Sequence, residues 1–199
     1  MKQISPNFFV LLTIIGFLFF SSFAHAATYD LNYSNVNLGV SGPYATVDIA
    51  IAADGDSALF TVDPDLGVFT FPEDGNFGIQ KFGFNTNLAL VASDFDLPDG
   101  WLVTFGDNLS SFGLFDANPT GTGSSRRDPL VFTVFYDDVL ESNFLVPNAE
   151  GANFAAHIAG FDALNGQTSV WVSDVPIPST ISLLGLGLFG LIGINRRKK

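Results

Sequence analysis

The sequence predicts an all-β protein: an antiparallel, jelly-roll-like β-sandwich flanked by an N-terminal signal peptide and a short C-terminal transmembrane helix. Three observations carry the sandwich. Apolar residues recur with period two, Asx-Gly pairs separate the runs, and no long amphipathic helix interrupts them. Of the 22 phenylalanines, 15 fall between residues 27 and 174, enough large side chains to fill a core.

The elements follow in order. Val47, Ile49 and Ile51 alternate with Thr46, Asp48 and Ala50, as in a strand with one wet face. Trp101, Val103 and Phe105 alternate with Leu102 and Thr104. Val131, Thr133 and Phe135 interleave with Phe132, Val134 and Tyr136, which predicts a strand buried on both faces. Phe154, Ala156 and Ile158 form one apolar face with His157 opposite, and Val170 and Val172 flank Trp171. Asp54-Gly55, Asp74-Gly75, Asp99-Gly100 and Asn165-Gly166 supply turns. Asn118 to Arg127 contains no apolar residue and reads as a mobile surface loop.

The segment 27–174 has the length of one domain with its own core. It holds all 20 carboxylate side chains against three cations, Lys81, Arg126 and Arg127, a net charge of −17. Such a surface attracts cations and excludes nucleic acid, whose binding depends on Lys and Arg against phosphate. With no cysteine, stability rests on burial or bound ions.

Catalytic motifs are missing: His157 stands without a positioned nucleophile, and no nucleophile elbow or paired-histidine zinc motif occurs. No catalytic residue is assigned. Calcium is the metal the residues suggest, because Asp94, Asp96 and Asp99 lie within six positions and calcium takes oxygen ligands. The segment is not an EF-hand, since Pro98 and Asp99 occupy its fifth and sixth positions and Phe105 its twelfth. The alternative is a solvated loop whose Asp-Gly pair makes a turn. Trp101 and Trp171 are candidate platforms for sugar rings, and their place in apolar strands fits a core role as well.

Both ends carry targeting features. In residues 1–26, Lys2 precedes an apolar run from Phe8 to Phe20, and Ala24-His25-Ala26 offers small residues to a signal peptidase, with cleavage before Ala27. Residues 175–199 combine Val175-Pro176-Ile177-Pro178, the apolar run Ile181 to Ile194, and Arg196-Arg197-Lys198-Lys199. The apolar run alone spans about 21 Å as a helix. Counting from Val175 brings it near the ~30 Å of a hydrocarbon core, with the cations left on the cytoplasmic side. Gly185 to Gly190 fits G-x-G-x-x-G, but no acidic residue follows about 20 positions later, so the glycines read as helix-packing residues.

This three-part tail resembles the PEP-CTERM sorting signal of exported proteins in Gram-negative bacteria. Val175, Pro176, Pro178, the Leu/Gly run and Arg196-Arg197 match the pattern, and Ile177 stands where the family usually has Glu. The resemblance implies processing by an exosortase-type enzyme after transient anchoring in the inner membrane, then delivery to the cell surface or extracellular matrix. It assigns a destination and no activity. The expected function is that of a non-catalytic exported surface or matrix protein held among polysaccharide. The alternative is a calcium- or carbohydrate-binding module built on Trp101 or Trp171 and the Asp94 to Asp99 loop. A glycan-active hydrolase with paired carboxylates comes third.

Overall fold

The computed structural model describes residues 26–71 and 75–175. Its strands are β1 (Ala26–Leu31), β2 (Tyr33–Ser34), β3 (Ala45–Ile51), β4 (Ser57–Pro64), β5 (Gly78–Phe84) and β6 (Phe95–Asp96). They continue with β7 (Leu102–Asn108), β8 (Leu114–Thr120), β9 (Leu130–Phe135), β10 (Phe154–Leu164) and β11 (Gln167–Ser173). The helical content among the described residues is short 3₁₀ turns at Ala92–Asp94, Ser110–Phe112 and Glu141–Phe144.

Two antiparallel sheets result. The first runs β1-β3-β4-β9-β6 and the second β2-β11-β10-β5-β8-β7. Local hairpins set their order. Asp54-Gly55 turns β3 into β4, with Gly55 at φ 78. Asn165-Gly166 turns β10 into β11, with both residues at positive φ, as a two-residue hairpin of this hand requires. Period two then places Val47 and Ile49 of β3 inward beside Phe60 and Val62 of β4, all four fully buried.

Phenylalanine joins the sheets. Phe60 on the first sheet lies 5.0 Å from Phe84 on the second and 4.9 Å from Phe132 on its own, and Phe144 meets it edge-on. On the opposite face of β10, Ala155 joins a smaller cluster with Leu109, Phe112, Phe115 and Ala152. Gly83 makes room for it, since a Cβ there would sit 2.2 Å from the Leu109 side chain.

Several expectations are corrected. The sandwich is not jelly-roll-like. Its sheets are open, ending at β1 and β6 in the first and at β2 and β7 in the second, and β3–β4, β7–β8 and β10–β11 each pair as local hairpins within one sheet. Strand β9 is buried on one face: Leu130, Phe132 and Val134 point inward, while Val131 and Phe135 are 42% and 51% exposed. Two apolar sets cannot both be covered when only one face of a sheet meets the core. Asn118 to Thr120 are not loop but the end of β8, with Asn118 fully buried, and Arg127 bridges Ile79.

The membrane expectation also changes. Among the described residues no helix is long and apolar enough to cross a membrane. The structure therefore supplies no spanning helix for the expected inner-membrane stage, and that localisation is set aside. The segment it rested on, Ile181 to Ile194, lies outside the described residues, as do Asp74 and the residues before Ala26 that were expected to form a signal peptide.

Candidate functional site

The acidic loop is built around local hydrogen bonds. Asp94 ends the first 3₁₀ turn, and its Oδ2 accepts from the Val91 amide at 2.8 Å. Asp96 sits in β6 opposite Thr133 and borders a depression with Leu97, Pro98 and Val131. Asp99 leads into the turn at Gly100, and its carbonyl accepts from Arg127 Nη2 at 3.2 Å. The three carboxylates are not gathered. Among the described residues, no group of three or more acidic or histidine side chains is arranged to hold a metal ion.

Neither tryptophan offers an open platform. Trp101 is 9% exposed, and its indole N–H donates to the Ser125 carbonyl at 2.6 Å, as a buried indole requires. Gly121 packs so closely beneath it that a Cβ there would lie 2.6 Å from the ring. Trp171 is half-buried between the smaller cluster and His157, whose ring stacks on it at 4.7 Å. Burial, and secondarily the Arg126 charge, push the His157 pKa down to about 4.

The three described cations are all engaged. Lys81 Nζ donates to Asp107 at 2.6 Å, and this bond holds the Asp107 carboxyl below its ordinary range. Arg126 donates to the Asn76 carbonyl and to Gln80 Oε1, while Arg127 reaches the carbonyls of Asp99, Ser125 and Arg126. Asp63 of β4 and Asp128, just before β9, have no such relief. Asp63 is raised by burial, then by Asp48 and Asp65, and Asp128 by burial and then Asp63.

The features the sequence did not reveal lie where the two sheets meet at the β6 and β7 edges. Residues 85–91 cross from β5 toward β6, held by the Thr86 amide on Asp116 and by mutual bonds between Asn87 and Asn143. On one side of this crossing, Leu88, Leu90 and Phe105 line a cavity of about 260 Å³. On the other, Val91, Phe135 and Tyr136 line one of about 620 Å³, and both cavities share Ala89. Asp116 borders the first, and Asp56, Asp94 and Asp137 border the second. The leftover signal was present in the exposed apolar residues Val91, Phe105 and Phe135, but only the fold shows them converging.

Of the processing residues, Ala26 and Ala27 open β1 opposite Ala50 and Ile49, and Val175 packs against the smaller cluster. Ala24, Pro176, Pro178, Arg196 and Arg197 lie outside the described residues. Compared with known proteins, the chain matches no family model, no curated protein and no solved structure. The expected signal peptide and the expected PEP-CTERM-like sorting tail thus find no support in a family match. Both leave the functional reading, which is confined to residues 26–175.

Proposed function

We propose that this chain is a non-catalytic, acidic structural protein that works among anionic polysaccharide through the charge of its surface. The observation that carries the reading is the commitment of every described cation to a partner within the fold. Lys81 is held by Asp107, and both arginines are turned onto loop oxygens. With the cations so engaged, exposed carboxylates such as Asp30, Asp54, Asp56, Asp96, Asp137 and Asp138 dominate the surface, so the protein meets its surroundings as a polyanion. Divalent cations can then bridge it to anionic polymers in a diffuse way, without a defined coordination site.

The test mixes the protein with a polyuronate across a range of calcium and sodium chloride concentrations. Light scattering follows association, and a reducing-end assay follows the polymer. Association should rise with calcium and fall with sodium chloride, which screens exposed charges, while the polymer stays intact. New reducing ends would replace this reading with a hydrolase. Saturable binding that needs no divalent ion would replace it with a specific carbohydrate module.

A further inference from the structure

We infer that the double cavity along residues 85–91 is a docking groove for an extended, cationic and amphipathic peptide segment of a partner protein. This reading is independent of the polymer-association proposal. Three features converge. The first is apolar surface where solvent should be. Val91 is 55% exposed, Phe135 51% and Phe105 45%, and they flank one continuous crossing rather than being scattered. Apolar surface gathered in this way marks an interaction site more often than single exposed residues do.

The second feature is charge. Each cavity is bordered by carboxylate, Asp116 at one and Asp56, Asp94 and Asp137 at the other. None of the four is ion-paired with a cation of the described residues: Lys81 is held by Asp107, and Arg126 and Arg127 lie on carbonyls and Gln80. An apolar lining with unneutralised carboxylates on both sides is complementary to apolar side chains spaced between Lys or Arg. An anionic or neutral ligand would leave those charges desolvated and unpaired, which is unfavourable.

The third feature is that the groove is already formed. The crossing is tied to β8 through Asp116 and to the 3₁₀ turn Glu141–Phe144 through Asn143, and Phe95 and Phe105 meet edge-on at 6.2 Å where β6 and β7 approach. Little ordering is then needed on binding. In an extended peptide alternate side chains share one face, so the apolar set would enter the two cavities while the long Lys or Arg side chains of the other face fold over the rim to the bordering carboxylates.

The experiment uses the full chain and a labelled peptide of alternating lysine and valine, read by fluorescence anisotropy. A lysine–serine peptide and a glutamate–valine peptide are the controls. The lysine–valine peptide should bind saturably and the glutamate–valine peptide should not. Phe135→Ser and Asp137→Asn should each weaken binding on the order of fivefold to tenfold, the size of effect a contributing interface residue carries. Both residues are exposed, so neither variant threatens the fold. Asp30→Asn, on edge strand β1 at the far side of the first sheet, should leave binding unchanged. Equal binding of the lysine–serine peptide, or an equal loss in Asp30→Asn, would mean charge alone and overturn the groove. Absence of lysine–valine binding would overturn it as well. Self-association in sedimentation that Phe135→Ser abolishes would assign the face to a second copy instead.

Discussion

His157 and Trp171 stack across the β10–β11 pair with ring centroids 4.7 Å apart and planes 22° from parallel. The same imidazole faces Lys81 across the β10–β5 pair and lies near Arg126. It is therefore held between an aromatic ring and the Arg126 charge, in a largely desolvated position. A proton added there meets a desolvated and repulsive site, which is why the folded pKa drops to about 4, burial being the larger cause.

The sign of the consequence is fixed by linkage. Between the unfolded value of 6.5 and the folded value of about 4, the unfolded chain binds the proton more readily, so stability is lost as pH falls through that window. His157→Phe keeps a ring against Trp171 and removes the titration. Its Tm should fall less between pH 7 and pH 4 than that of the parent protein, by thermal denaturation followed with circular dichroism. Equal losses in the two proteins would show that His157 does not contribute to acid sensitivity.

The outer face of the first sheet carries a checkerboard. Asp30 pairs with Thr46, which pairs with Asp63, while Thr28 pairs with Asp48, which pairs with Thr61. Thr28 donates its hydroxyl to Asp48. Threonine opposite aspartate keeps carboxylates off directly facing positions, where like charges are most costly. The diagonal repulsion that remains still raises Asp63, after burial, and a raised acid is destabilising once ionised. Asp63→Asn should therefore raise Tm at pH 7, with the gain shrinking as pH falls toward the carboxylate range. A lower Tm at pH 7 would show that the Asp63 carboxylate has a favourable partner.

Phe60 is the hub of the core, touching Phe82, Phe84, Phe132 and Phe144. Deleting it leaves a cavity between the sheets that flat rings close poorly. Phe60→Ala should cost about 3–5 kcal/mol in urea denaturation. Phe135→Ala, on exposed β9 surface, should cost less than about 1 kcal/mol. Similar costs for the two would contradict the one-sided burial of β9.

That contrast marks how far the sequence could be read. The β3 pattern was legible because its two faces differ: Val47 and Ile49 inward, Thr46 and Asp48 outward. Both hairpin turns were legible because Gly55 and Gly166 sit at the positive φ that their position in the turn requires. In β9 both faces are apolar, and nothing local says that Phe135 lines a cleft rather than the core. Asn118 misled in the opposite direction. A polar residue reads as exposed, yet its amide donates to the Phe115 carbonyl from a fully buried position. The groove was not legible at all, since its lining comes from β7, β9 and the crossing at residues 85–91, far apart in sequence.

The calcium expectation gives the last prediction, because spacing in sequence proved a poor guide to spacing in the fold. Asp94 is turned onto the Val91 amide, Asp96 borders the depression with Leu97 and Pro98, and Asp99 sits at the Gly100 turn. A calcium ion needs roughly six to eight oxygens around one point, and these three carboxylates do not provide a shared centre. Net charge makes a different response inevitable, since any added cation eases repulsion within a domain of −17. Millimolar calcium and millimolar magnesium should thus raise Tm by similar amounts, and Asp96→Asn should not alter the difference between them. A shift much larger for calcium than for magnesium, saturating with concentration and lost in Asp94→Asn, would establish a specific site and require the loop to rearrange around the ion.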